Sequence, residues 1–177
     1  MGAASFDRRT VIGPTAHLAR SRPLRHRVVV AGASLADVLR SAGGWLFDEA
    51  MDGSDVMVLV PGGADLLPLR ILGARGGDLA AALSSPVRGP RPHSLAVSAE
   101  VYQAQPRMRW LVHRSLEHGL TEVRLWGGRP ESGEEPVCHR LSRAACAFKA
   151  SALVAASVPV ERLAATELFR NGDLVPA

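Results

Sequence analysis

From residue 27 onward, short apolar runs of strand length alternate with stretches whose apolar residues recur at helical spacing. "VVVAG" (28–32) and "DVMVLV" (55–60) read as buried strands, with Leu35, Val38, Leu39, Ala42 and Leu46 marking one helical face between them. "LAVSAEV" (95–101), "TEVRLW" (121–126) and "ATELFR" (165–170) continue the strand series, and "LPLRILG" (67–73) reads as a further strand. "RMRWLVHRSLEHG" and "HRLSRAACAFKASALVAAS" read as helices, "DLAAALSS" as a short one, and "GGRPESGEEPV" as a long polar loop. Strands alternating with helices predict a three-layer α/β fold, Rossmann-like, with five or six mostly parallel strands. "VMVLV" fits burial on both faces, whereas "EVRLW" alternates and is expected near an edge or half covered.

Residues 28–60 and 94–126 are both 33-residue strand–helix–strand units ending in similar Gly-Gly turns, a pattern consistent with an internal duplication. Such halves would meet at a crevice in the sheet.

The net charge of +4 is unevenly placed. Residues 1–27 hold Arg8, Arg9, Arg20, Arg22, Arg25 and Arg27 against Asp7 alone, while the other 150 residues hold 15 basic and 16 acidic side chains. Residues 1–26 are therefore expected to form a basic, flexible arm, with one α/β domain over 27–177. Those arginines could draw nucleic-acid phosphates by sequence-independent electrostatics. No apolar run is long enough to span a bilayer, the first residues lack a secretory h-region, and no membrane partner is expected. Cys138 and Cys146 form no C-x-x-C pair, which fits a reduced, cytoplasmic protein. Lys149 is the one lysine among 21 basic residues, a usage suggestive of a GC-rich bacterial source.

The loop "GAS" (32–34) opens like a dinucleotide-binding turn but lacks the fingerprint. Ser34 and Asp37 stand where the second and third glycines belong, and no acid ends the second strand. "SLAD" instead matches a helix cap, with Ser34 accepting an early amide and Asp37 facing the helix dipole. No G-K-[ST] is present, and no nucleotide or other cofactor is expected. Gly43-Gly44 then falls inside a helix whose apolar spacing runs on through Ala50, so one continuous helix is predicted despite a cost of about 1 kcal/mol per glycine. Trp45 and Phe47 point to different faces, so one of them is a candidate exposed contact.

In a parallel sheet all strand-to-helix loops share the carboxyl edge, the usual ligand edge. The loops expected there are "GAS", "GARGGD" (73–78), "AEVYQAQ" (99–105) and "WGGRP" (126–130). Ser34, Arg75, Gly76, Gly77, Tyr102 and Arg129 are accordingly the candidate ligand residues, arginines and glycine amides suiting an anion. His113 and Glu117 make at most half a metal site, and Cys138-His139 lacks a third partner, so no metal or catalytic residue is assigned. The leading functional reading is a non-catalytic α/β module acting through a protein partner or self-association. The alternatives are a small anionic-ligand binding protein or enzyme using the carboxyl edge, and a nucleic-acid-associated protein using the arm.

Overall fold

The computed structural model describes residues 25–86, 90–128, 135–160 and 163–171. Within them the strands are β1 (Arg27–Ala31), β2 (Asp55–Val60), β3 (Arg75–Asp78), β4 (Ser94–Ser98), β5 (Glu122–Trp126), β6 (Val137–Arg140) and β7 (Thr166–Asn171). The helices are α1 (Leu35–Met51), α2 (Leu67–Ile71), α3 (Leu79–Ser84), α4 (Ala99–Ala104), α5 (Pro106–His118) and α6 (Arg143–Ala155). The sheet order is β3-β2-β1-β4-β5-β7-β6. β1 to β5 are mutually parallel, and β7 and β6 complete the sheet in antiparallel pairings. The three-layer, mostly parallel α/β architecture is as expected, with seven strands among the described residues.

Alternating side chains feed two cores. Val28, Val30, Val56, Val58 and Val60 pack beneath α1, α2 and α6, whereas Leu95, Val97, Val123 and Leu125 pack beneath α3, α4 and α5. β5 is interior rather than an edge strand. Its polar side is covered because the Arg124 guanidinium lies over the rings of Trp45 (5.1 Å) and Phe169 (5.7 Å). Both expected 33-residue units are present, β1-α1-β2 and β4-α4-α5-β5, and they meet where β1 pairs with β4.

Four local expectations are corrected. "LPLRI" is helical because Pro68 sits in the first turn, where its missing amide costs nothing, and Pro68, Leu69 and Leu72 bury one face. "RGGD" is the edge strand β3, not a loop. β4 ends at Ser98, whose Oγ accepts from the Val101 amide (3.2 Å) and starts α4. The polar loop before α6 gives way to β6, and α6 starts only after Ser142, whose Oγ accepts from the Ala145 amide (2.9 Å).

α1 runs unbroken through Gly43-Gly44. A methyl on Gly44 would stand 2.3 Å from Leu141 Cδ2, so the glycine is required by the close approach of the chain leading into α6. Trp45 and Phe47 are both buried, which removes the expected exposed contact. At the other end of α1, Asp48 anchors the same segment. Its carboxylate accepts from Ser142 Oγ (2.7 Å) and the Ser142 amide (3.3 Å), and pairs with His139 Nε2 (2.9 Å). Burial pushes the Asp48 carboxyl up, but the hydrogen bonds from Ser142 and His139 outweigh it and hold the group below its ordinary 3.8.

Gly44→Ala should destabilise by about 1–3 kcal/mol through overpacking against Leu141. Gly43→Ala, whose new methyl would meet nothing closer than Lys149 Cγ at 3.4 Å, should be neutral or stabilise by up to about 1 kcal/mol. Urea melts of the two variants check the opposite signs. Because the folded pKa of Asp48 is lowered, the unfolded chain binds its proton first, so this stabilisation is complete above the ordinary value and fades as pH falls through the folded one. Asp48→Asn should flatten the acid limb of the stability–pH curve below about pH 4, read by thermal melts from pH 7 downward.

Candidate functional site

The order of the strands reverses between β1 and β4, and that reversal marks the ligand edge of such sheets. Of the four expected loops, "GAS" follows β1 and the described part of "WGGRP" follows β5 at that edge, whereas "AEVYQAQ" is largely helix α4, which starts directly after β4. The loop after β1 is filled by its own side chains. Ser34 Oγ accepts from the Asp37 amide (3.1 Å), Asp37 Oδ2 accepts from the Ala33 amide (3.3 Å), and Trp126 Nε1 donates to Asp37 Oδ1 (3.0 Å). Ser34 is thus the helix cap that "SLAD" predicts, and Asp37 ties the end of β5 to the start of α1.

The other candidates do not converge with it. Arg75 opens edge strand β3 at the amino end of the sheet, where its guanidinium pairs with Asp55 (2.5 Å). Gly76 and Gly77 lie within that strand opposite Val58 and Leu59. Sequence spacing misplaced them because a helix was read as the preceding strand. Tyr102 lies on α4 with its hydroxyl 3.0 Å from His113 Nε2. Burial raises its pKa and the nearby Arg109 charge partly offsets the rise, so the phenol stays protonated. Arg129 lies outside the described residues, as do Arg8, Arg9, Arg20 and Arg22 of the basic arm. Arg27 starts β1 at the amino end, where its Nη1 donates to the Pro90 carbonyl (3.2 Å), and Arg25 is exposed beside it.

The site itself is a cleft of about 590 Å³ between α1, the end of β5, α6 and the first half of β7. Because β7 runs antiparallel to β5 and pairs through Leu125 and Arg170, Thr166 to Leu168 project past the carboxyl end of β5 and form a wall. Arg40 and Ser41 on α1, Trp126 and Gly127 at the end of β5, and Lys149 on α6 line the cleft. Leu153, Leu163 and Pro159 make its apolar side.

One wall is an ion pair bonded to the backbone of helix α1. Lys149 Nζ donates to Glu167 Oε1 and to the Arg40 carbonyl, both at 2.6 Å. Glu167 Oε1 accepts the Gly44 amide and Oε2 the Trp45 amide, both at 2.8 Å. In a regular α-helix the Gly44 amide would serve the Arg40 carbonyl itself. Here Glu167 accepts from that amide and Lys149 donates to that carbonyl, and both side chains are buried. By contrast, the Arg40 guanidinium is exposed and engages none of the described residues through hydrogen bonds or ion pairs. The signals for this site were a single lysine in an alanine-rich helix and a glutamate in register with Phe169 on one side of the last strand. Among the described residues no group of three or more His, Cys, Asp or Glu is arranged to hold a metal ion. No helix among them is long and apolar enough to cross a membrane.

By sequence the chain matches no family model and no curated protein. By structure it resembles the A40926 pseudoaglycone deacetylase Dbv21, with a TM-score of 0.53 and 17% identity over 73% of this chain and 81% of that one. It also resembles a deacetylase of teicoplanin biosynthesis in complex with teicoplanin (TM-score 0.56, 12% identity, covering 82% and 97%). A third likeness is to GalB, the 4-carboxy-2-hydroxymuconate hydratase of Pseudomonas putida KT2440 (TM-score 0.53, 12% identity, covering 86% and 97%). The chain shares its fold with enzymes. These neighbours overturn the leading expectation of a non-catalytic interaction module, and the small-molecule reading of the carboxyl edge is the better supported. At such identities the likeness is one of fold.

Removing one partner of the buried pair leaves an uncompensated charge, so Glu167→Gln and Lys149→Met should each cost about 3–5 kcal/mol. The double variant should cost clearly less than the sum, because no lone buried charge remains. A double-mutant cycle by denaturant melts measures the coupling, and additive losses would contradict it.

Proposed function

We propose that this chain acts on a small anionic molecule held in the carboxyl-edge cleft. The observation that carries this reading is the exposed Arg40, whose side chain engages none of the described residues through hydrogen bonds or ion pairs, in the lining of a cleft of ligand size. Small-molecule sites typically enclose about 300–1,000 Å³ and combine an apolar lining with a few placed polar groups. The cleft fits both descriptions. Among the described lining residues the other charges, Lys149 and Glu167, cancel each other, so Arg40 leaves a net positive balance. Support for chemistry on the bound molecule, rather than retention alone, comes from the company the fold keeps. The neighbours are named for deacetylation and for hydration, and the hydratase takes its name from a carboxylated compound. The free Cys138 and Cys146 fit residence in the reducing cytoplasm.

A thermal-shift panel of small carboxylates and phosphate esters tests the reading. A compound that binds only the native state at a hundred times its Kd adds about 2.7 kcal/mol. At least one anion should raise the melting temperature in a dose-dependent way, and Arg40→Ala should abolish that shift while leaving the unliganded melt in place. A panel without a shift, or a shift untouched by Arg40→Ala, would defeat the proposal.

A further inference from the structure

Beyond charge, the lining of the cleft discriminates among anions, and the inference drawn from it rests on the cleft being the ligand site. Its lining is polar at one end and apolar beyond it. Lys149, whose Nζ meets the Arg40 carbonyl, and Leu153 stand one turn apart on α6, and Pro159 and Leu163 add apolar lining from the segment between α6 and β7. A phosphate or a compact polyacid would meet cations at one end only and would strip water from its remaining oxygens against leucine, which costs free energy without return.

Lys149 sharpens the selection. Its ammonium has three donors, and two are spent on the Arg40 carbonyl and Glu167. The third has no partner among the described residues, although the side chain is buried and lines the cleft. One buried ammonium donor and one guanidinium fork, on two residues that line the cleft, suit the two oxygens of a single carboxylate. Glu167, already accepting three hydrogen bonds, repels a second or third negative charge brought close to Lys149.

We infer that the cleft takes an amphiphilic monocarboxylate. The carboxylate lies between Arg40 and Lys149, and an aliphatic or aryl body covers Leu153 and Leu163. The aryl or alkyl body supplies apolar burial of about 25 cal/mol per Å², and the carboxylate fixes its direction.

Calorimetric titration of the full chain with hexanoate, hexanamide, inorganic phosphate and citrate tests this. Hexanoate should bind saturably with one site per chain, and hexanamide about tenfold or more weakly, since a charge-assisted contact is lost. Phosphate and citrate should bind more weakly than hexanoate. Arg40→Gln should weaken hexanoate about tenfold and leave the melting temperature of the free protein unchanged. Leu163→Asn should weaken hexanoate while leaving the weak phosphate signal where it was, a split that a general loss of folding would not produce. Tight binding of phosphate or citrate with none of hexanoate would overturn the monocarboxylate assignment and keep the anionic-ligand reading. Binding of none of these anions would count against both. Equal binding of hexanoate and hexanamide would make the cleft apolar only and overturn the role of Arg40 and Lys149.

Discussion

The interaction on which the rest of this structure depends is the Lys149–Glu167 pair bonded to the backbone of α1. Taking two charges out of water costs several kcal/mol each, and attraction between them offsets this only when their remaining hydrogen-bonding capacity is also used. Glu167 uses it on the Gly44 and Trp45 amides and Lys149 on the Arg40 carbonyl, so the pair and the helix backbone satisfy one another. The three participants come from α1, α6 and β7, which lie far apart in the chain. The parallel half of the sheet, β1 to β5, is thereby joined to the antiparallel addition β6-α6-β7. Asp48 repeats the connection one turn further along through His139 and Ser142. Between these two anchors Leu141 presses onto the backbone at Gly44, which is why a residue ordinarily unfavourable in helices belongs there.

The same addition decides where the cleft lies. At the reversal of strand order, the usual crevice is filled by Ser34, Asp37 and the Trp126 indole, which close the first turn of α1. β7 then carries the sheet beyond the carboxyl end of β5, and α6 covers its face, so the open space moves sideways to the second turn of α1. Arg40 and Ser41 border that space because they follow the capped turn. The ligand edge is still the carboxyl edge, but it is the antiparallel extension that shapes it.

What was legible in the residues was whatever depended on local pattern. Periodicity located β1, β2, β5, β7, α1 and α5, and "SLAD" disclosed the Ser34 cap. Short elements escaped for physical reasons. α2 has five residues, too few for a helical period, and its Pro68 reads equally well as a breaker or as a first-turn residue. β3 is the four residues "RGGD", whose strand identity comes from pairing with β2 and not from any side chain. β6 is largely exposed and carries no apolar alternation to find. Those misreadings moved Arg75 from the amino end to the expected ligand edge. Arg40 was passed over because a lone arginine on an amphipathic helix looks like any solvated surface charge until a wall is built beside it.

Gly43-Gly44 was nevertheless visible as an inconsistency, two helix-weakening residues inside an apolar period that did not stop. A sequence that specifies one structure keeps its local preferences and its global contacts in agreement, and departures concentrate where function or strain is accommodated. Here three departures coincide: glycines within a helix, a buried ion pair, and helix backbone groups bonded to side chains. The first two are unfavourable alone, and the ion pair lines the cleft. A hydrophobic contact between α1 and α6 would hold the two helices together with less desolvation. Retaining charge at that contact makes sense if the buried ammonium also has work to do in the cleft, and the helix then bears the cost through Gly44.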